Sequence, residues 1–430
     1  MKSVVKKIIF WKIQFLARLV LKKYKPQIVA VTGSVGKTSA KEAIYRALST
    51  ELFVGKSQKT YNTEIGIPLT ILGVESGWGS LSRWCRNIIE GLLLLILQNI
   101  YPKWLIIEAG IDHPGDMDTI AKMIKTDIVV FTKFAEIPVH VEFFGSPKLV
   151  WEEKKKILKT LKDSGTIVLN HDDENVLEIK KGSGKHAITY GFNKMADVVA
   201  SNLEIFYKND VPAGISFKVN VDGNSLPIML EGVLGEQHAY PILSAIAVSK
   251  ALNINTIKVI DSLKKIEFMP GRMRILNGVY SSTIIDDSYN SSPLAIEKAL
   301  GVLKEIKETK GRKIAVLGDM LELGSFEENE HRVAGEIAGE FVDVLVSVGE
   351  RAKNISEGAN AAGLNSENIH WFLNSIEAGE FMKDFIREGD LVLVKGSQSL
   401  RLEKIIQNIL ARPEEAKFLL VRQEKEWEKR

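Results

Sequence analysis

The strongest chemical signal in the sequence is TGSVGKTS at 32–39. Gly33 and Gly36 let the chain bend so that the backbone N–H groups around Ser34, Val35 and Ser39 converge, and a following helix would add a positive partial charge. Lys37 can then reach the β- and γ-phosphates of a nucleotide, and the Thr38 hydroxyl is placed for Mg²⁺. The general phosphate-loop pattern asks for a glycine where Val31 stands, so this is the shorter TGxxGK[ST] form. An ordinary glycine-containing turn is the competing reading. Strand, loop, Lys-Thr and helix agree against it.

Other candidates are weaker taken singly. Glu108 ends the apolar run WLIIEAG, where open α/β sheets place ligand-facing residues, and a carboxylate there can hold Mg²⁺ directly or through water. His140 in IPVHVEFFGS follows the run DIVVFT; a lone histidine is more often packed or at the surface than a ligand. WEEKKKILK (151–159) reads by default as the solvated face of an amphipathic helix, with nothing local to single out one lysine. Asp286 and Asp287 in IIDDSYNSSP could bind a ribose hydroxyl or cap the next helix. LGDMLELG (317–324) and VKGSQSLR (394–401) end strands with small or polar residues plus Lys395 and Arg401, a setting for a carboxylate or phosphate or for ordinary loops.

These residues need a scaffold, and the patterning supplies one. Short β-branched runs at 28–32, 104–110, 127–132 and 166–170 alternate with helical spacing, which predicts a parallel sheet covered by helices. Residues 197–231 carry alternating segments broken by Asn-Asp and Asp-Gly, expected as an antiparallel patch on the same domain. Pro-Gly in FMPGR (268–272) marks a boundary, after which the alternation restarts as a second doubly wound α/β unit. The charged tail from Arg412 reads as a surface helix or frayed end.

Composition is that of a folded protein: 430 residues, 45% hydrophobic and 26% charged, enough for two or three domains. One cysteine, Cys85, excludes a disulfide framework or a cysteine-rich metal site. A net charge of +3 gives no reason to expect a nucleic-acid partner. The charge is uneven, however: residues 1–25 hold eight Lys or Arg and no acid. Charged residues break that segment's apolar run, so a membrane span is not expected and the chain reads as cytoplasmic.

In order and content the segments TGSVGKTS, YNTEIGIPLTIL, EAGIDHPGDM, VHVEFFGS, PGR, DDSYNSSP, LGDMLELG with His331 downstream, and VKGSQSLRLE resemble the Mur ligase family, from about residue 28 to 411. DDSYN, GDMLELG and VKGS are more typical of the branch that adds D-alanyl-D-alanine. The resemblance implies an α/β protein with a P-loop central ATPase domain (28–268, mostly parallel sheet) and a C-terminal Rossmann-like α/β domain (269–411), flanked by a basic amphipathic helix (1–27) and a charged tail (412–430). It implies an ATP-dependent ligase, a monomer, that joins D-alanyl-D-alanine to a muramoyl-peptide carboxylate through an acyl phosphate, using two Mg²⁺ ions. Another amine or a lipid-linked acceptor, or a non-catalytic nucleotide-binding scaffold, remains the alternative.

Carried over by position, Lys37 serves the phosphates and Thr38, Glu108 and His140 hold metal. Lys154 would carry a CO₂-derived carbamate for the second metal, with Lys155 as fallback. Gly33 to Ser39, Arg272, Asp287 and Asn290 would contact ATP, and Asn62, Thr63, Asp319, Glu322, Lys395 and Ser397 the substrates. The chain departs from the family in three places. Around Lys154 the usual Ala-Lys with a nearby Glu becomes Glu-Lys-Lys-Lys, which is why Lys155 is the fallback. GEQHAYP puts Gln237, His238 and Pro241 where a His-Asn-x-x-Asn stretch is usual, which questions a nucleotide contact. The phosphate loop begins at residue 33, without the family's preceding uridine-nucleotide domain of about a hundred residues. Nucleotide residues come from both halves, so without ligand Lys37 and Asp287 are expected too far apart to share one ATP. Residues 4–21 form one broad apolar helical face with Trp11 and Phe15, and 78–100 add Trp78, Trp84 and LLLLIL. Two readings stand open: ordinary core, or peripheral contact with the inner membrane face through 1–25 and 78–100.

Overall fold

A computed structural model of the chain describes residues 3–57, 65–136, 138, 141–307, 310–424 and 427, with 3–6 as backbone only. Asn62, Thr63 and His140 lie outside the described residues.

Two sheets organise the molecule. The first runs β2-β3-β1-β4-β5-β6-β7-β8-β9. Its strands are β1 (Gln27–Thr32), β2 (Val54–Lys56), β3 (Trp104–Glu108), β4 (Thr126–Phe131), β5 (Leu161–Asn170), β6 (His186–Gly191), β7 (Val198–Lys208), β8 (Val211–Val221) and β9 (Asn224–Glu231). Pairing is parallel as far as β7, and β8 and β9 then turn back antiparallel on the same sheet. β1, β3 and β4 are almost wholly buried, as strands covered by helices on both faces must be. β1 sits between β3 and β4, so the connections leave it in opposite directions and open a crevice at the carboxyl ends.

The second sheet runs β10-β11-β15-β12-β13-β14. It comprises β10 (Arg274–Asn277), β11 (Thr283–Asp287), β12 (Lys313–Gly318), β13 (Val344–Val348), β14 (Ile369–Phe372) and β15 (Leu391–Lys395). All its pairs are parallel except β10 with β11. The mixed α/β class expected from the sequence is therefore the class observed. An antiparallel bridge from Val233 to Arg274 links the two sheets, and one apolar cluster runs from Val29 and Ile44 through Leu234 to Ile285 and Leu317.

Three local expectations change. The broad apolar face of helix Ser3–Tyr24 divides: Ile9, Ile13, Leu16, Ala17 and Val20 are buried, while Ile8, Trp11 and Phe15 are exposed. The stretch 151–159 is not a solvated face throughout, because Glu153 and Lys154 are buried near the end of helix Pro147–Lys155. Nor does the tail fray from residue 412. Ala416 and Leu420 pack into the second sheet's core, Val421 is buried, and Arg422 is buried against Glu403.

Candidate active site

The loop between β1 and helix Lys37–Leu48 is fixed from behind by the segment after β4. Ser34 and Val35 donate their N–H groups to Lys133 O at 2.8 and 3.3 Å. Gly33 takes φ 144°, and a Cβ there would fall 1.9 Å from Thr132 Oγ1. Gly36, the residue before the helix, takes φ 82°. Left-handed backbone and the close wall leave glycine as the residue that fits at 33.

Lys37 folds over this loop, donating to Gly33 O and Ser34 O at 3.1 and 3.2 Å. Burial lowers its amine below the ordinary lysine range; Glu108 and Asp112 oppose that shift and Arg272 adds to it. Thr38 Oγ1 donates to Glu108 Oε2 at 2.9 Å, and both are buried. That pair joins the first turn of the helix to the end of β3, bringing together two oxygens of the hard type Mg²⁺ prefers.

Lys154 comes to the same place from helix Pro147–Lys155. Its side chain is 4% exposed. Burial first, then the charge on Lys37, holds its amine well below the ordinary range, with Asp112 opposing. Lys155 points away and pairs with Glu152 at 2.9 Å. Glu153 fixes the turn, accepting from the N–H groups of Gly115 and Met117 at 3.0 Å and from Lys156.

Facing the loop are the carboxyl ends of β11, β15 and β12. Register sets Asp287 opposite Lys395, and the two form a buried ion pair at 2.7 Å. Lys395 also donates to Asn290 O at 3.0 Å. Arg272 lies over the Tyr289 ring at 4.1 Å and has a buried Nε without a partner among the described residues. Asp286 binds the backbone instead, accepting from Gly271 N–H and Ser288, and burial pushes its carboxyl up to about 6.

A cleft of about 730 Å³ lies between the two sets of strand ends, lined on one side by Ser34 to Ser39 and Glu108 and on the other by Arg272, Asn290, Glu322 and Ser397. A narrower cavity adjoins it, where Gly36 and Ser39 meet Gln237, His238, Tyr240, Pro241, Asp287 and Lys395. Gly36 and Ser39 of the phosphate loop thus share a cavity with Asp287, while Lys37 lines the larger cleft and Asp287 does not. Gln237 Oε1 and His238 Nε2 are buried there without hydrogen-bond partners among the described residues. Burial pushes the His238 imidazole down to about 4.

Not every expected substrate residue faces the cleft. The Asp319 carboxylate accepts from Ala352 N–H at 2.8 Å, and its backbone carbonyl accepts from Ser397 N–H, so it ties two loops together. His331 does similar work: Nε2 accepts from Met320 N–H at 2.8 Å while Nδ1 faces Glu327 O. The residue reading passed over Asp112, Tyr289 and Trp427. Asp112 acts on both Lys37 and Lys154, and its place in the loop after β3 was a usable signal. Tyr289 stands inside a motif already singled out. Trp427 lines the cleft with the Arg401 guanidinium 5.5 Å from its ring, and nothing in a charged tail announces that.

Comparison with known proteins bears on the family and the fold. Residues 31–80 and 90–249 match the Mur ligase middle domain, and residues 271–398 the Mur ligase, glutamate ligase domain. The UDP-N-acetylmuramoyl-tripeptide–D-alanyl-D-alanine ligase of Bacillus subtilis (strain 168) is 26% identical over 402 residues, covering 93% of this chain and 79% of the relative. Among solved structures, the fold is shared with MurF ligase from Thermotoga maritima in complex with ADP (TM-score 0.75, 24% identity, 95% of this chain and 84% of that one). It is shared equally with MurF from Acinetobacter baumannii (TM-score 0.75, 21% identity, 93% and 80%).

Proposed function

The chain belongs to the Mur ligase family, and from that premise we propose that it joins D-alanyl-D-alanine to the terminal carboxylate of a muramoyl tripeptide. It is an ATP-dependent ligase of peptidoglycan precursor synthesis that forms an amide bond. The observation that carries the substrate reading is the shared cleft. A phosphate loop with Lys37, Thr38 and Glu108 faces strand ends that offer Lys395, Asn290 and Arg272.

The loop N–H groups and Lys37 would hold the β- and γ-phosphates of ATP. The purine would enter the adjoining cavity, where Tyr240 and Pro241 give apolar walls and the Gln237 carbonyl, without a partner among the described residues, can accept from an exocyclic amine. Gln237 and His238 therefore still belong to a nucleotide wall, although they depart from the family's usual stretch. The acceptor carboxylate oxygen attacks the γ-phosphorus, the bond to the β-phosphate bridge breaks, and an acyl phosphate and ADP result. The amine of D-alanyl-D-alanine then attacks the acyl carbon, loses a proton, and phosphate leaves. Lys37 and Arg272 lower the cost of the charge that gathers in this sequence.

Thr38 and Glu108, with His140, are the residues that would hold Mg²⁺, which neutralises phosphoryl and carboxylate oxygens. Among the described residues no group of three or more His, Cys, Asp or Glu converges, so substrate oxygens would complete the set. Lys154 suits carbamylation, because only a neutral amine can bond to the carbon of CO₂ with loss of a proton, and its surroundings favour the neutral form. Asp112 stands beside both lysines, placed to balance the charges that come and go. Among the described residues no helix is long and apolar enough to cross a membrane.

The test supplies ATP, Mg²⁺, UDP-N-acetylmuramoyl-tripeptide and D-alanyl-D-alanine, and follows phosphate release together with product mass. One phosphate per added dipeptide is the expected result. No phosphate release with any acceptor and amine in a broad panel would leave a nucleotide-binding scaffold instead.

A further inference from the structure

Helix Ser3–Tyr24 packs against helix Leu81–Ile96, and the two run in the same direction. Phe10 meets Trp84 with ring centroids 5.6 Å apart. Further along, Gly91 lets Leu16 close in, since a Cβ there would lie 3.2 Å from its Cδ1. At the carboxyl ends Lys23 Nζ donates to the carbonyls of Leu94, Leu95 and Leu97 at 2.9, 3.0 and 2.7 Å, and the Tyr24 hydroxyl donates to Leu94 O. Their buried faces account for Ile9, Ile13, Leu16 and Trp84. The outer faces are also apolar. On the first, Ile8, Trp11 and Phe15 are exposed, with Trp11 63% exposed and stacked on Phe15. On the second, Ile89, Leu92, Leu93 and Ile96 follow helical spacing, with Ile96 75% exposed and Ile100 beyond it 91%.

Charge decides what could cover these stripes. Lys7, Lys12, Arg18 and Lys22 are exposed on the first helix, which contains no acid. Arg83 and Arg86 are exposed on the second, whose single acid, Glu90, pairs with Arg86. We propose that the outer face of this helix pair docks on a bilayer bearing anionic headgroups, apolar side chains entering the interface and the cations meeting phosphates. A second copy of the chain would bring like charges together, whereas an anionic bilayer neutralises them. Tryptophan with basic neighbours is the composition such an interface favours. Neither helix is apolar enough to span, in keeping with a helix pair that lies on the surface. The inference stands on the helix pair alone and does not depend on the substrate reading.

The experiment is flotation of the full chain with phosphatidylcholine vesicles and with vesicles containing about a third phosphatidylglycerol. Two variants accompany it: Trp11→Ser/Phe15→Ser/Leu92→Ser/Ile96→Ser, and Lys7→Glu/Lys12→Glu/Arg18→Glu, each checked for an unchanged melting temperature. Binding to the anionic vesicles is expected, falling about tenfold in either variant and weakening at about 0.5 M salt. Should the apolar variant fail to fold, the charge variant decides. Absence of binding, equal binding to both vesicle types, or binding unmoved by both sets of substitutions would overturn the proposal. So would light scattering that shows a dimer which the apolar substitutions convert to monomer.

Discussion

Lys37 and Lys154 share a small volume in which each charge raises the cost of the other, and their tasks divide accordingly. Lys37 lies against the loop carbonyls and serves phosphate, so Lys37→Ala should lower kcat about 100- to 1000-fold in the phosphate-release assay. Glu108→Gln should instead raise the Mg²⁺ concentration needed for half-maximal rate, because its partner Thr38 alone is a weak ligand. Lys154→Ala should inactivate and be rescued in part by acetate, whose oxygens can replace those of a carbamate. Lys155→Ala should be near wild type, since that side chain pairs outward with Glu152. Rescue at 155 rather than 154 would move the carbamate by one residue. His238 carries a stability prediction. Its folded pKa of about 4 lies below the unfolded value of 6.5. Below pH 6.5 the unfolded chain therefore takes up the proton first, and stability is lost as pH falls from about 6.5 to about 4. At about 1.4 kcal/mol per unit this is on the order of 3 kcal/mol. The drop in denaturation midpoint between pH 7 and pH 4 should accordingly be smaller in His238→Leu. The phosphate loop and Glu108 were legible in the sequence because strand, glycine spacing and Lys-Thr act locally. Lys154 was reached only through the family resemblance, since among the five consecutive acids and lysines at 152–156 nothing local tells which ones the fold buries.

At the scale of elements, the carboxyl tail shows how far local pattern can mislead. Arg412 to Arg430 alternates charges as a solvated end would, yet Arg422 is buried with Glu403 at 3.0 Å and donates to the carbonyls of Ser288 and Tyr289 at 2.9 and 2.8 Å. The tail thereby holds the turn that carries Tyr289 and Asn290 into the cleft. Arg422→Met should cost about 3 kcal/mol, as breaking one partner from a buried pair does. It should also open the chain after residue 412 to limited proteolysis, and a melting temperature equal to wild type would contradict the assignment. Arg422→Lys should not restore the loss, because one ammonium cannot reach the carboxylate and both carbonyls in a planar fork. By contrast, β1, β3, β4, β11, β12, β13 and β15 could be read directly as apolar runs closed by turns. Short β2 and β10 could not, for three or four residues gain their strand identity from the neighbour they pair with.

For the whole molecule, the apolar cluster that crosses from the first sheet to the second makes the halves depend on each other. A single heat-absorption peak in calorimetry is therefore expected. Two resolved peaks would mean the sheets fold as separate units and that the cleft is assembled by docking. Which two faces would meet was beyond the sequence, because each half satisfies its own pattern and the contact between them is carried by residues far apart in the chain, such as Val233 and Arg274. The single cysteine lends the outer helix face one more use. Cys85 is exposed on helix Leu81–Ile96, one turn before Ile89 on the same side. Being the sole thiol of the chain, it can take a nitroxide or an environment-sensitive dye without any engineered change. The unaltered polypeptide thus comes with its own address for a spectroscopic reporter, at the spot whose polarity would change on contact with lipid.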